Sequence, residues 1–204
     1  MWCSDTETRR IHMKIAIIGT GFIGGTLGRA LANAGQEVTF GSRHADDQVG
    51  SGTTARVASV GDALAGSDVI VLALPGAAVS DLTAEHGDAL AGKVVIDATN
   101  RMGEAVSNSR ASLPPTVRYV RAFNSLGGEN MADPVFAGGR ADLFFSAPEG
   151  DRSTVETVIE GVGLRPIYVG EDKEALIDAV SQLWIALALT QGRGRRLAFR
   201  VLEG

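Results

Sequence analysis

At 204 residues, 45% of them hydrophobic and 21% charged, the chain has the make-up of one soluble globular unit with a single sizeable core. A formal net charge of −5 argues against a nucleic-acid partner, which calls for a basic surface. No apolar run nears the roughly 20 residues that cross a bilayer, so no membrane association is expected; the lone Cys3 excludes an internal disulfide, and His12, His44 and His86 are too scattered for a metal site.

Met1–His12 is polar and charged, without the apolar segment of a signal peptide, and the expected location is cytoplasmic. Residues 1–12 are expected to form a disordered leader and residues 13–204 a single domain. The apolar run Lys14–Ile18 reads as a strand and is followed at once by G-x-G-x-x-G at Gly19, Gly21 and Gly24. A helical pattern then runs to Gly35, a natural helix stop. Strand, tight turn and helix start aim unpaired backbone N–H groups and the positive end of a helix dipole at one place, which suits a pyrophosphate. Gly19, Thr20, Gly21, Phe22, Ile23 and Gly24 are therefore candidate dinucleotide-binding residues.

A second strand, Val38–Ser42, ends in Gly41–Ser42–Arg43. In an NAD site this place usually carries an acid that holds the ribose 2′-hydroxyl. Here a hydroxyl and a guanidinium replace it. Arg43 can contact a 2′-phosphate in a two-pronged, charge-assisted way, and Ser42 can donate a further hydrogen bond, so the expected cofactor is NADP.

A polar loop, 46–54, precedes a short strand at Arg56–Ser59 and a short helix at Val60–Ala65. Val69–Leu74 is a strand apolar on both faces, as parallel strands are. Helix Val79–Leu90 follows, then strands at Val94–Asp97, Val117–Ala122 and Leu143–Ser146, helix Ser153–Gly161, strand Pro166–Val169 and a long helix, Glu174–Thr190. This alternation predicts an α/β fold: a Rossmann-type doubly wound parallel sheet with a short C-terminal helical extension. The dinucleotide would cross the carboxyl ends of the strands at the switch point. Leu74 and Pro75, after the Val69 strand, would border it. Asn100, after Asp97, is either a nicotinamide-side contact or a turn residue. Asn124, with Ser125 beside it, should face the substrate space.

Other chemistry is missing from the chain: no G-x-S-x-G, H-E-x-x-H, paired cysteines, Walker motif or Y-x-x-x-K. Tyr119 and Tyr168 read as packing residues within strands, and Asp97 as a turn or capping carboxylate. No acid or base is evident, so the catalytic residues stay unassigned. Hydride transfer between two cofactors needs almost no proton donor, only two rings held face to face.

These segments resemble the NADPH-dependent reductases of the deazaflavin coenzyme F420. The likeness rests on G-T-G-F-I-G, on Gly41–Ser42–Arg43, on residues 68–75 (DVIVLALP), and on residues 163–170 (GLRPIYVG) followed by the long helix. It runs from about Met13 to Leu202. It implies hydride transfer between NADP(H) and coenzyme F420 as co-substrate, with Thr20, Ser42 and Arg43 on the 2′-phosphate, Ile23 and Pro75 along the cleft, and Asn124 near the deazaflavin. It also implies a homodimer and a C-terminal helix that closes the substrate pocket. Some members carry a bulky aromatic right after the proline, where this chain has Gly76. The alternatives are a reductase of a flavin, imine or other small acceptor, or a non-catalytic NADP(H)-binding sensor.

The long helix carries Leu176, Ile177, Val180, Leu183, Trp184 and Leu187 as an apolar stripe, expected either to pack on the sheet or to form a dimer contact or pocket wall. Arg193, Arg195 and Arg196 follow it, as a solvated face or as an attractor for an anionic substrate tail.

Overall fold

Apolar residues alternate between the two faces of every central strand, and the architecture follows from that. The computed structural model describes residues 12–43, 54–100 and 107–204; most of the expected leader lies outside them. Strand β1 (Lys14–Ile18), helix α1 (Phe22–Asn33) and β2 (Glu37–Ser42) form the first unit. Then come β3 (Arg56–Ser59), α2 (Val60–Ala65), β4 (Val69–Leu72), α3 (Val79–Leu90), β5 (Val94–Asp97) and β6 (Arg118–Arg121). These six strands make one sheet in the order β3-β2-β1-β4-β5-β6, every neighbouring pair parallel. This is the expected Rossmann-type sheet. The chain direction across it switches between β1 and β4, so two loops diverge there and leave a crevice at the carboxyl edge.

Ile15 and Ile17 of β1 and Val69 and Val71 of β4 join Leu27, Leu31, Phe40, Ile96 and Val120 on one face. Ala16, Ile18, Ile70 and Leu72 join Leu64, Leu82, Leu90 and Val95 on the other. Helix α1 ends as the sequence predicts. Gly35, at φ +87°, donates to the Ala32 carbonyl and Gln36 to the Leu31 carbonyl, each at 3.0 Å.

The remainder departs from the expectation of one continuous sheet. After β6 come α4 (Gly128–Ala132) and an unpredicted antiparallel hairpin, β7 (Val135–Phe136) with β8 (Gly139–Arg140). Strand β9 (Asp142–Phe145) then leads through α5 (Arg152–Gly161) to β10 (Arg165–Tyr168), and among the described residues these two strands pair only with each other, in parallel. They meet the main sheet through one antiparallel bridge, Arg121 to Ser146, whose two N–H···O bonds are 2.9 and 3.1 Å. A further parallel strand needs a long crossover that covers a face. The short α4 and the hairpin supply none.

Helix α6 (Glu174–Ile185) ends in a π-helical turn, Ala186–Thr190. The chain beyond returns in extended form along β9. The Phe199 carbonyl accepts from the Asp142 N–H at 3.1 Å, and Arg165 grips both Asp142 carboxylate oxygens (2.6 and 2.8 Å) and the Val201 carbonyl (2.7 Å). Buried Asp142 thus ties the C-terminal strap to the second layer.

Helix α1 lies on β2 where Gly28 meets Phe40. A Cβ at Gly28 would overlap the Phe40 ring, whereas one at Gly25 would meet only the flexible end of Arg29, at 3.0 Å. Gly28→Val should therefore lower stability by about 1–3 kcal/mol, and Gly25→Ala should leave it equal or higher. Thermal melts of the two variants against the parent check this contrast.

Candidate functional site

The three motif glycines do three different things. Gly19 takes φ +113°, and a Cβ there would overlap the Ala73 carbonyl oxygen as the chain leaves β4. A Cβ at Gly24 would overlap the Gly19 carbonyl oxygen. Gly21 faces open space: among the described residues, nothing lies within 4 Å of where its Cβ would be. Helix α1 starts behind Gly21 with no side-chain cap and no acid in its first turn. Its first intrahelical bond runs from Gly25 N–H to Gly21 O, at 2.8 Å. The N–H groups of Phe22, Ile23 and Gly24 therefore have no partner inside the helix. An uncapped twelve-residue helix aimed across an open glycine edge fits a pyrophosphate in charge and in shape. Thr20 and Phe22 are exposed on this edge; Ile23 is half-buried. The Phe22 and Ile23 side chains lie over Gly128 of α4, within 2.5 and 2.7 Å of where its Cβ would be.

At the end of β2, Ser42 is buried and Arg43 is exposed, and no hydrogen bond or ion pair engages Arg43 among the described residues. A cation next to the open turn, where an acid would otherwise stand, suits a 2′-phosphate. Across the switch point, β4 ends at Leu72, two residues earlier than predicted; Leu74 is half-buried and Pro75 exposed beside the crevice.

The far half of the carboxyl edge is organised by a residue that sequence reasoning passed over. Arg121, the last residue of β6, is wholly buried. Its Nη1 donates to the carbonyls of Asp97 (3.1 Å) and Thr99 (2.6 Å). Its Nε and Nη2 engage the Asp178 carboxylate of α6 at 2.8 and 2.7 Å, and Nη2 also reaches Asn100 Oδ1 at 3.4 Å. Asp97 Oδ1 lies 3.4 Å from Nη1. An arginine in a strand usually reads as a surface residue. The available signal was Asp97, a carboxylate ending a fully buried strand, which calls for a countercharge.

Asp97 is the turn anchor that the sequence suggested. It accepts from Thr99 N–H (2.9 Å), Thr99 Oγ1 (2.7 Å), Ser109 N–H (2.7 Å) and Tyr119 OH (2.8 Å). Burial, and after it the charge of Asp97, pushes the Tyr119 hydroxyl far above its ordinary pKa. Tyr168 is likewise structural, donating to the Ala147 carbonyl at 3.0 Å.

Asn100 and Asn124 do come together. Asn100 Nδ2 donates to the Asn124 carbonyl at 3.2 Å. Asn124 Nδ2 donates to Ser181 Oγ (2.8 Å) and Asp178 Oδ1 (3.3 Å), and Ser181 Oγ donates back to the Asn124 carbonyl at 2.8 Å. The ring Arg121–Asn100–Asn124–Asp178 closes on itself and binds α6 to the loops after β5 and β6. Because a carboxylate only accepts, the Asn124 amide has to present its nitrogen to Asp178. Its Oδ1, and the Oγ of neighbouring Ser125, are buried without a partner among the described residues. Phe123, just before them, holds φ +63°, an uncommon region for a non-glycine residue.

The stripe on α6 resolves into two faces. Ile177, Ser181, Trp184 and Ala188 are buried, while Leu176 and Leu183 stay about half exposed, at 50% and 51%. Trp184 packs in the core and its indole N–H donates to the Leu197 carbonyl at 2.7 Å. The arginines after the helix are mostly committed within the fold. Arg195 grips Glu129 at 2.6 and 3.1 Å and covers the Trp184 ring, and its hydrogen bonds hold the Glu129 carboxyl below its usual pKa. Arg196 binds the carboxylate and carbonyl of Asp133. They are struts to α4 rather than free attractors for an anion.

The sequence profile of a family described as NADP oxidoreductase, coenzyme F420-dependent, matches residues 14–101. The chain resembles, over 94% of its length and 100% of the other chain, a candidate F420-dependent NADP-reductase from Arthrobacter sp. FB24, at 26% identity and a TM-score of 0.76. A hypothetical protein from Sinorhizobium meliloti aligns over 97% of this chain and 98% of its own, at 24% identity and a TM-score of 0.68. An imine reductase from Streptomyces aurantiacus shares the fold at 22% identity and a TM-score of 0.64, over 89% of this chain and 68% of its own. No helix among the described residues is long and apolar enough to cross a membrane.

Proposed function

We propose that this oxidoreductase binds NADP(H) in preference to NAD(H) and passes hydride between it and the deazaflavin coenzyme F420. The observation that carries the cofactor reading is the open Gly21 edge before an uncapped helix, flanked by the cation Arg43, which has no partner among the described residues. The backbone N–H groups of the turn would take the pyrophosphate, and Arg43, Ser42 and Thr20 the 2′-phosphate. Leu74, Pro75 and Asn100 would border the nicotinamide half, with Asn124 and Ser125 toward the acceptor. When bound, NADPH supplies the hydride.

The acceptor reading draws on the family match and on the side chains of the far half. They are amides, hydroxyls and a closed ion cluster, and Tyr119, whose hydroxyl is held by Asp97 and whose pKa is raised, is not poised to give up a proton near neutrality. An acceptor that needs little proton help from the protein suits them. Gly76, buried directly after Pro75, favours a second reading in which a flavin or an imine takes the place of the deazaflavin.

Helix α6 offers Leu176, Val180, Leu183 and Leu187, at spacings of four, three and four, as a half-exposed apolar face. We read it as the contact of a homodimer working in the cytoplasm.

Three measurements test these readings. NADPH oxidation should be fast with coenzyme F420 and slow with free flavin or cyclic imines; turnover with flavin or imine alone gives the reaction to the second reading, and tight NADPH binding without turnover on any acceptor makes the protein a sensor. In the parent, NADPH should bind far more tightly than NADH, and Arg43→Ala should remove about tenfold or more of that preference, the size of a lost charge-assisted contact. Light scattering should give twice the 21.2 kDa of the chain, and Leu183→Glu should shift the mass to that of one chain.

A further inference from the structure

The buried cluster at the carboxyl edge does not balance in charge. Among the described residues, Asp97 and Asp178 both face a single guanidinium, that of Arg121, and side-chain exposure is 0% for Arg121 and Asp97 and 10% for Asp178. Among the described residues, the groups that hydrogen-bond the two carboxylates all donate: Thr99, Ser109 and Tyr119 to Asp97, and Asn108, Arg121 and Asn124 to Asp178. Neither carboxylate needs a proton to satisfy these partners, so the cluster carries a net charge of minus one. At the start of α6, Arg110 pairs with Asp172 and Glu174, and Lys173 stands between those two acids in the chain; two cations and two acids leave the surplus uncompensated. Water does not reach Arg121 or Asp97, so the surplus is screened less than a surface charge would be.

The cluster's position gives this surplus a target. It sits at the ends of β5 and β6, in the half of the sheet that takes the nicotinamide when the adenosine end lies by β1 and β2. Two of its members, Asn100 and Asn124, are residues that the proposed function sets toward that half. A nicotinamide ring is neutral in NADPH and carries one positive charge in NADP+. We propose that the Asp97–Arg121–Asp178 cluster is an electrostatic bias that favours the oxidised, cationic nicotinamide, and so favours hydride leaving NADPH for the acceptor. Asp178 acts here as a positioning and charge-setting residue, since it lies behind Asn124. The inference rests on the NADP reading above but not on the identity of the acceptor.

Binding measurements on the full chain separate the possibilities. Dissociation constants are taken by calorimetry for NADP+, NADPH and 2′,5′-ADP, which lacks the nicotinamide. The parent should bind NADP+ more tightly than NADPH. Asp178→Asn, which neutralises the surplus, should weaken NADP+ relative to NADPH by about tenfold and leave 2′,5′-ADP within about twofold. Asp178→Glu, which keeps the charge, and Ser181→Ala, which removes two hydrogen bonds but no charge, should both keep the parent's NADP+/NADPH ratio. An unchanged ratio in Asp178→Asn, or equal weakening of all three ligands, overturns the proposal and leaves the cluster a structural one. If Asp178→Asn does not fold, the parent decides: tighter binding of NADPH than of NADP+ overturns the proposal. A parent that binds none of the three removes the NADP reading and this inference with it.

Discussion

The turn after β1 runs so near its neighbours that no side chain fits between them. Ala73 leaves β4 against Gly19, and Gly24 of α1 rests on the Gly19 carbonyl. This close backbone contact fixes where α1 begins and which way its unpaired N–H groups point. It also holds β1 and β4 together at the carboxyl edge, since the Ala73 N–H bonds the Ile18 carbonyl at 2.8 Å. Phe22 and Ile23 then rest on α4, so the geometry of the turn passes on to the segment after β6.

A second anchor faces the first across the crevice. Arg121 directs its donors to the backbone carbonyls of Asp97, which ends β5, and Thr99, to Asn100 and to a carboxylate of α6. Burying three charged groups costs several kcal/mol in desolvation, and it is tolerated because each is hydrogen-bonded on nearly every side. Removing one partner would strand a charge in the interior, so the cluster makes α6 an obligatory wall of the site. The C-terminal strap extends this arrangement: Asn130 of α4 holds the carbonyls of Arg195 and Leu197 at 2.9 Å each, and Trp184 of α6 holds Leu197 as well.

Local signals carried much of this to the sequence. The apolar runs of β1 and β4, the glycine spacing and the stop at Gly35 each depend on residues a few positions apart, and all appear in the fold, β4 two residues shorter than expected. The partners of β9 and β10 could not be read, because nothing within those strands records which edge they join. Arg121 was hidden for a related reason: its burial depends on Asp178, 57 positions away. On α6 the two apolar rows lie one residue apart in sequence, so a periodic pattern merges what the fold separates into a packed face and an open one. Arg195 and Arg196 looked like free charge because Glu129 and Asp133, which neutralise them, lie more than 60 positions upstream.

Among the described residues, the backbone ladder between the main sheet and the β9–β10 pair is a single bridge of two hydrogen bonds, Arg121 to Ser146, while Leu143 and Phe145 of β9 join the core of the main sheet. So thin a seam makes the chain modular. Side chains, not a continuous ladder, glue the later half to the nucleotide half, and the family profile ends at residue 101, well before the seam. A join made mostly of side chains can change residue by residue, without re-registering a strand of the main sheet.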